Sequence, residues 1–163
     1  TVGVLLGFLI YNCRSRWRAH AMIFMGDTGS QFLGLVLAWF AIILAMEPNP
    51  AMAPISAVWI LALPIADTVT LMTRRMLRGR SPFKADREHL HHIMLALGFS
   101  SGQTVVILFG IAAFLGFGAL AIDSLGTPQH VMFYAYLVLV VLWGLVAESA
   151  CVRLGLRAVD TPQ

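Results

Sequence analysis

Two stretches of this 163-residue chain hold the residue types that could do chemistry. The first is Phe24-Met25-Gly26-Asp27-Thr28-Gly29-Ser30, a carboxylate among two glycines and two hydroxyls, just ahead of an apolar run from Phe32 to Met46. Its ordinary reading is a helix start, with Asp27 or Thr28 accepting hydrogen bonds from free backbone N–H groups. Its sharper reading is a hard oxygen ligand for Mg²⁺ beside backbone N–H groups that favour phosphate. The second stretch runs from Arg78-Gly79-Arg80-Ser81-Pro82-Phe83 through Lys84, Asp86, Arg87 and Glu88 to His89-Leu90-His91-His92. A helix over 85–97, ended by Gly98, would place Asp86, His89 and His92 on one broad face and turn His91 about 100° from His92. Clustered imidazoles can ligate a transition metal, move protons or contact phosphate oxygens. No cysteine lies nearby, and Arg74, Arg75, Arg78, Arg80 and Arg87 disfavour a bare cation and favour an anion. Phosphate chemistry therefore fits this stretch best.

The elements that must position these residues belong to a membrane. Hydrophobic residues are 59% of the chain and charged residues 12%, with a mean hydropathy of +0.82, which excludes an ordinary soluble domain. The expected fold is an all-α polytopic transmembrane bundle, one membrane domain over 1–163, with four full spans plus the end of a fifth. The spans fall near 29–46, 54–73, 103–122 and 130–148, and residues 1–12 read as the end of a helix that begins earlier. Pro64 should kink the second span, and Asp67 sits near membrane depth, where a carboxylate costs about 2.5–3.5 kcal/mol on insertion scales and so faces the bundle or a wet cavity. The last two spans read as scaffold, with Gly110, Gly116 and Gly118 allowing close helix contact. Their interiors carry no ionisable group before Glu148.

All eleven basic residues lie in three clusters, Arg14 to Arg18, Arg74 to Arg87, and Arg153 with Arg157, while the breaks 47–53 and 123–130 carry none. The positive-inside bias then makes the loops about 13–28 and 74–101 cytoplasmic and puts Asp27, Asp67 and the histidines at one face. The same rule accounts for the basic clusters without nucleic acid. Cys13 and Cys151 are isolated, so no disulfide framework is expected. A metal-binding carboxylate, a cationic wall and histidines at a bilayer edge suit phosphoryl transfer to or from a lipid. The competing reading is an ion- or proton-coupled transporter fragment with Asp27, Asp67 and the histidines as its path.

The motifs resemble those of the polyprenyl-phosphate N-acetylhexosamine-1-phosphate transferases, of glycosyltransferase 4 type. Phe24 to Ser30 resembles the family's FMGD-x-GS motif. Pro64-Ile65-Ala66-Asp67 followed by Arg74-Arg75, and Ser81-Pro82-Phe83 through Asp86 to His89-Leu90-His91-His92, resemble the PxxD and SPFxxDxxHLHH pattern of its WecA-like branch. The resemblance implies a Mg²⁺-dependent phosphoglycosyltransferase, with Mn²⁺ as a substitute. It would move N-acetylhexosamine-1-phosphate, as GlcNAc-1-phosphate, from a UDP-sugar such as UDP-N-acetylglucosamine to undecaprenyl phosphate. UMP is released, in the first step of cell-surface polysaccharide synthesis such as that of lipopolysaccharide. It further implies Asp27 as the metal ligand, His89, His91 and His92 as catalytic, and Arg75, Arg80, Asp67 and Asp86 as substrate-binding. The setting would be a bacterial inner membrane with the site on its cytoplasmic face, among membrane lipid, in a chain that allows a homodimer. The family's earlier aspartate pair and Asn-x-x-Asp-Gly motif do not occur here. The sequence thus reads as the C-terminal part of a longer transferase, expected to be inactive by itself.

Overall fold

In a computed structural model the described residues are 2–12, 22–23, 25–46, 50–79, 81 and 89–155. They form seven helices and, among them, no strand: α1 (Val2–Asn12), α2 (Gly26–Met46), α3 (Pro54–Ile60), α4 (Ala62–Leu77), α5 (Leu90–Ala96), α6 (Ser101–Ser124) and α7 (Gln129–Arg153). Helices α2, α6 and α7 are long and apolar enough to cross a membrane, and α3 with α4 makes a fourth if the bent pair is one span. This is the all-α membrane bundle expected from composition. The chain divides into two compact units, Thr1–Ile43 and Leu44–Gln163.

In the first unit the Asn12 side chain, at the end of α1, donates from Nδ2 to the Ile23 carbonyl at 2.7 Å and accepts from the Ile23 N–H at 2.9 Å. Both backbone groups of one residue are satisfied by one amide, which fixes the chain two residues before Met25. Helix α2 then begins at Gly26 with Asp27 in its first turn.

The second unit is governed by a break. Where the sequence predicts a single kinked span over 54–73, α3 and α4 are separate helices bent by 79°. Pro64 has no N–H for the Ile60 carbonyl four residues back, and its ring crowds that carbonyl. The helix therefore ends at Leu61, which adopts φ −98°, ψ 18° and serves as both C-cap of α3 and N-cap of α4. The bend is packed from α6 and α7. Trp59 donates from Nε1 to the Met132 carbonyl at 3.1 Å and stands edge-on to Tyr136 with ring centroids 5.5 Å apart. Ile55, Ala119 and Met132 form the small core beside it.

Helix α4 buries Ala62, Ala66, Thr70 and Arg74, a stripe at four-residue spacing, together with Leu71 and Arg75. Small residues dominate the stripe, so α7 can approach closely. A Cβ added at Gly144 would lie 3.2 Å from Thr70 Cγ2, and one at Gly116 only 3.5 Å from Ile60 Cα. Of the three glycines expected at helix contacts, Gly116 is at one, whereas Gly110 and Gly118 face nothing described within 4 Å. Gly144 takes their place, because the contact that matters runs between α4 and α7.

A substitution at Gly144 should act through this contact. Gly144→Val is expected to destabilise the bundle by about 1–3 kcal/mol through overpacking against Thr70, lowering the thermal unfolding midpoint in detergent. Gly110→Ala, which meets open space, should leave the midpoint unchanged or slightly raised.

Candidate active site

The histidine stretch is organised by Asp67, which stands on α4 one residue past the buried Ala66. Its Oδ1 accepts the Leu90 N–H at 3.1 Å and its Oδ2 meets His89 Nδ1 at 2.9 Å. Helix α5 has no capping side chain of its own sequence. A carboxylate on another helix thus satisfies one of its free N–H groups, and negative charge there also complements the helix dipole. The far end of α5 is closed by Gly98 at φ +92°. There the Gly98 N–H reaches the Leu95 carbonyl and the Phe99 N–H the Met94 carbonyl. Leu90 and Ile93 are buried, and Ile93 packs with Ala147 and Cys151 of α7. The apolar side of α5 is therefore docked, while His91 is exposed and His92 partly so.

The expected helix over 85–97 ended by Gly98 is correct at its C-terminus. At the other end, His89 is extended at φ −66°, ψ 150° and precedes the first helical residue. Residues 85–88 lie outside the described residues. Asp67 draws His89 out of helical register, so its ring does not share a face with His92. It stacks on His91 instead, with centroids 5.9 Å apart and planes 17° apart. His91 in turn lies 4.1 Å from His92, so the three imidazoles form one continuous ladder. Partial desolvation lowers the pKa of His91 below the ordinary imidazole value, helped by the neighbouring His92 and His89 rings and opposed by Asp67.

The cationic end of α4 is packed into the bundle. Arg74 and Arg75 are buried at 8% and 6% exposure. Glu148 of α7 accepts a hydrogen bond from Arg78 Nη2 and lies 3.5 Å from Arg74 Nη1. Arg74 Nη1 is also 3.5 Å from Cys151 Sγ. Glu148, at the end of a span that reads from its sequence as scaffold, thus ties α7 to the basic end of α4. Its signal in the sequence is a lone carboxylate at the end of an apolar span. A second inter-helix carboxylate, Asp123 at the end of α6, accepts from the Ala53 N–H at 2.8 Å and from Ser56 Oγ at 2.9 Å. It fixes the start of α3, at the opposite end of this unit.

Of the remaining expected residues, Arg80 and Asp86 lie outside the described residues. Asp27 belongs to the first unit, exposed in the first turn of α2. Ser30 Oγ donates to its backbone carbonyl at 2.9 Å, and no described residue donates to its carboxylate. An exposed, uncommitted carboxylate is what Mg²⁺ uses when its other positions are filled by water and substrate phosphate. Among the described residues no group of three or more His, Cys, Asp or Glu is placed to hold a metal by protein ligands alone.

Comparison with known proteins gives these residues a context. Residues 1–45 match the profile described as glycosyl transferase family 4. Over 150 residues, 91% of the chain, it is 33% identical to the undecaprenyl-phosphate alpha-N-acetylglucosaminyl 1-phosphate transferases of Escherichia coli O157:H7 and Salmonella typhi. Over the same length it is 30% identical to the Yersinia pestis protein of that name. The chain spans 41% of the length of these relatives. No solved structure matches it.

The lowered His91 pKa sets a sign for pH dependence. Protonation of His91 is weaker in the folded state than in the unfolded chain, so its contribution to stability is complete above about pH 6.5 and is lost as pH falls through the lower folded value. The thermal midpoint of the wild type should therefore fall more steeply between pH 7 and pH 5 than that of His91→Gln. Parallel slopes would contradict this.

Proposed function

Because the chain belongs to glycosyl transferase family 4, we propose that its protein transfers GlcNAc-1-phosphate from UDP-N-acetylglucosamine to undecaprenyl phosphate. An oxygen of the lipid phosphate attacks the phosphorus that bears the sugar. The bond from that phosphorus to the UMP oxygen breaks, UMP leaves, and a lipid-linked diphosphosugar remains. The reaction would begin the assembly of a cell-surface polysaccharide such as lipopolysaccharide, at the cytoplasmic face of a bacterial inner membrane. The relatives' names support the acceptor and the transferred group. They say nothing of the nucleotide, which is our reading.

The observation on this chain that carries the proposal is the ladder of three imidazoles held beside α4 by Asp67. Phosphoryl transfer asks little covalent chemistry of a protein and much positioning and charge stabilisation. Three adjacent rings offer hydrogen-bond groups to several phosphate oxygens at once, and Arg75 of α4 and Arg80 ahead of the histidines are assigned to the same anionic substrate. Asp86, within the SPFxxD motif, is assigned with them to substrate binding. In Asp27 the chain has a carboxylate suited to Mg²⁺, or to Mn²⁺ in its place. When bound, the ion neutralises the diphosphate. A docked α5 also means that the three rings are positioned before substrate arrives, so less ordering entropy is lost on binding.

The test is UMP release from membranes that contain the complete reading frame, supplied with UDP-N-acetylglucosamine, undecaprenyl phosphate and Mg²⁺. Release is expected, and Asp27→Asn should lower it at least about 10²-fold, the cost of losing an electrostatic stabiliser of the transferring group. Release with a different UDP-hexosamine alone would change the donor and keep the class. No release with any donor would overturn the proposal.

A further inference from the structure

We infer that Asp67 is a positioning residue that fixes His89 as the Nδ1–H tautomer and so leaves Nε2 as the nitrogen that meets the transferred phosphoryl group. This rests on the proposed reaction for its purpose, but not for its geometry. It also replaces the expectation that Asp67 binds substrate. Both of its oxygens are engaged within the protein, one with Leu90 N–H at 3.1 Å and one with His89 Nδ1 at 2.9 Å, and its side chain is only 17% exposed.

The tautomer follows from the donor inventory. An ionised carboxylate only accepts hydrogen bonds, so a 2.9 Å contact with Nδ1 requires the proton to be on Nδ1. A neutral imidazole then carries its lone pair on Nε2. The His89 side chain is 38% exposed, so its unengaged edge is open to a ligand while the other is tied down. A second feature fixes the orientation. The oxygen not used by His89 holds the first N–H of α5, and α5 is docked on α7 through Ile93. The carboxylate cannot rotate toward solvent without uncapping the helix that carries His91 and His92. One side chain thereby sets the tautomer of the first ring and the place of the other two.

In chemical terms, Nε2 can accept a proton from an acidic phosphate oxygen. If the ring is already protonated, it can donate to the bridging oxygen that leaves with UMP. In either role, Asp67 stabilises the imidazolium without itself receiving the proton, the division of labour known for carboxylate–histidine pairs.

Asp67→Asn separates this role from a purely structural one. The amide Oδ1 can keep the Leu90 N–H, so the cap and the fold survive. The Nδ2 group then faces His89 Nδ1 as a donor, and the imidazole proton must move to Nε2. Flipping the amide would set its NH₂ against the Leu90 N–H, which cannot reverse its own sense. With ¹⁵N-histidine labelling of the full-length protein and His89→Ala to assign its signals, we expect Nδ1 protonated in the wild type and Nε2 protonated in Asp67→Asn. Steady-state UMP release should show kcat lowered about 10²-fold or more, with KM for the UDP-sugar little changed. In a His89→Ala background, Asp67→Asn should cost nothing further. A wild-type His89 protonated on Nε2 would overturn the inference, as would an unchanged tautomer in Asp67→Asn or an undiminished cost in the double variant. The NMR reading does not depend on turnover. Failure of the proposed reaction would therefore show as absent UMP with the tautomer result intact.

Discussion

The missing N–H of Pro64 is the constraint on which the second unit depends. A continuous helix over 54–77 would carry the residues of α4 along the axis of α3, and the stripe Ala62, Ala66, Thr70, Arg74 could not lie against α7. Breaking the ladder at Leu61 redirects α4 by 79°, sets Thr70 against Gly144 and brings Asp67 within reach of His89 and Leu90. The break has a cost, since carbonyls near Leu61 lose ordinary helical partners. Trp59 and Tyr136 pack around the bend. In a chain so apolar, with many large side chains turned outward, such specific contacts decide the arrangement more than burial does, because lipid is as apolar as leucine.

Three carboxylates hold this unit together, and each works between helices. Asp123 ties the end of α6 to the start of α3, Glu148 ties α7 to the arginines of α4, and Asp67 ties α4 to α5. Charged groups near hydrocarbon are tolerated when paired internally, and here each carboxylate is paired across an interface that apolar packing alone would leave free to slide. The short helices α3 and α5, of seven residues each, are below the length at which a helix is stable in isolation. Their borrowed partners are what a helix of two turns needs.

The same economy shapes the chemistry proposed for the histidines. A ladder of imidazoles on a free loop would sample many orientations, and ordering it would consume binding energy. Docking α5 through Leu90 and Ile93, capping it with Asp67 and closing it at Gly98 removes that cost in advance. The lowered pKa of His91 belongs to the same arrangement: docking partly desolvates its ring, and the neighbouring His92 and His89 rings further disfavour its positive charge.

Composition, apolar run lengths and the distribution of eleven basic residues determined the membrane class and the approximate limits of the long apolar helices, because these depend on how much of a segment is apolar and not on its neighbours. The types and spacing of Asp27, Asp67 and the three histidines likewise pointed to the phosphate chemistry we propose, since few side chains suit phosphate and a divalent ion. Pro64 announced a disturbance by its own covalent structure, but not that the span would part into two helices at Leu61, which depends on what packs around the bend. Three matters were decided only by tertiary structure. His89 left the helical register because a carboxylate 22 residues earlier competes for its ring. Glu148 became a clamp because α7 happens to pass the basic end of α4. Gly144, rather than Gly110 or Gly118, became the close contact because Thr70 lies opposite it. Each depends on residues distant in sequence meeting in space, and local periodicity and propensity carry no term for such a meeting.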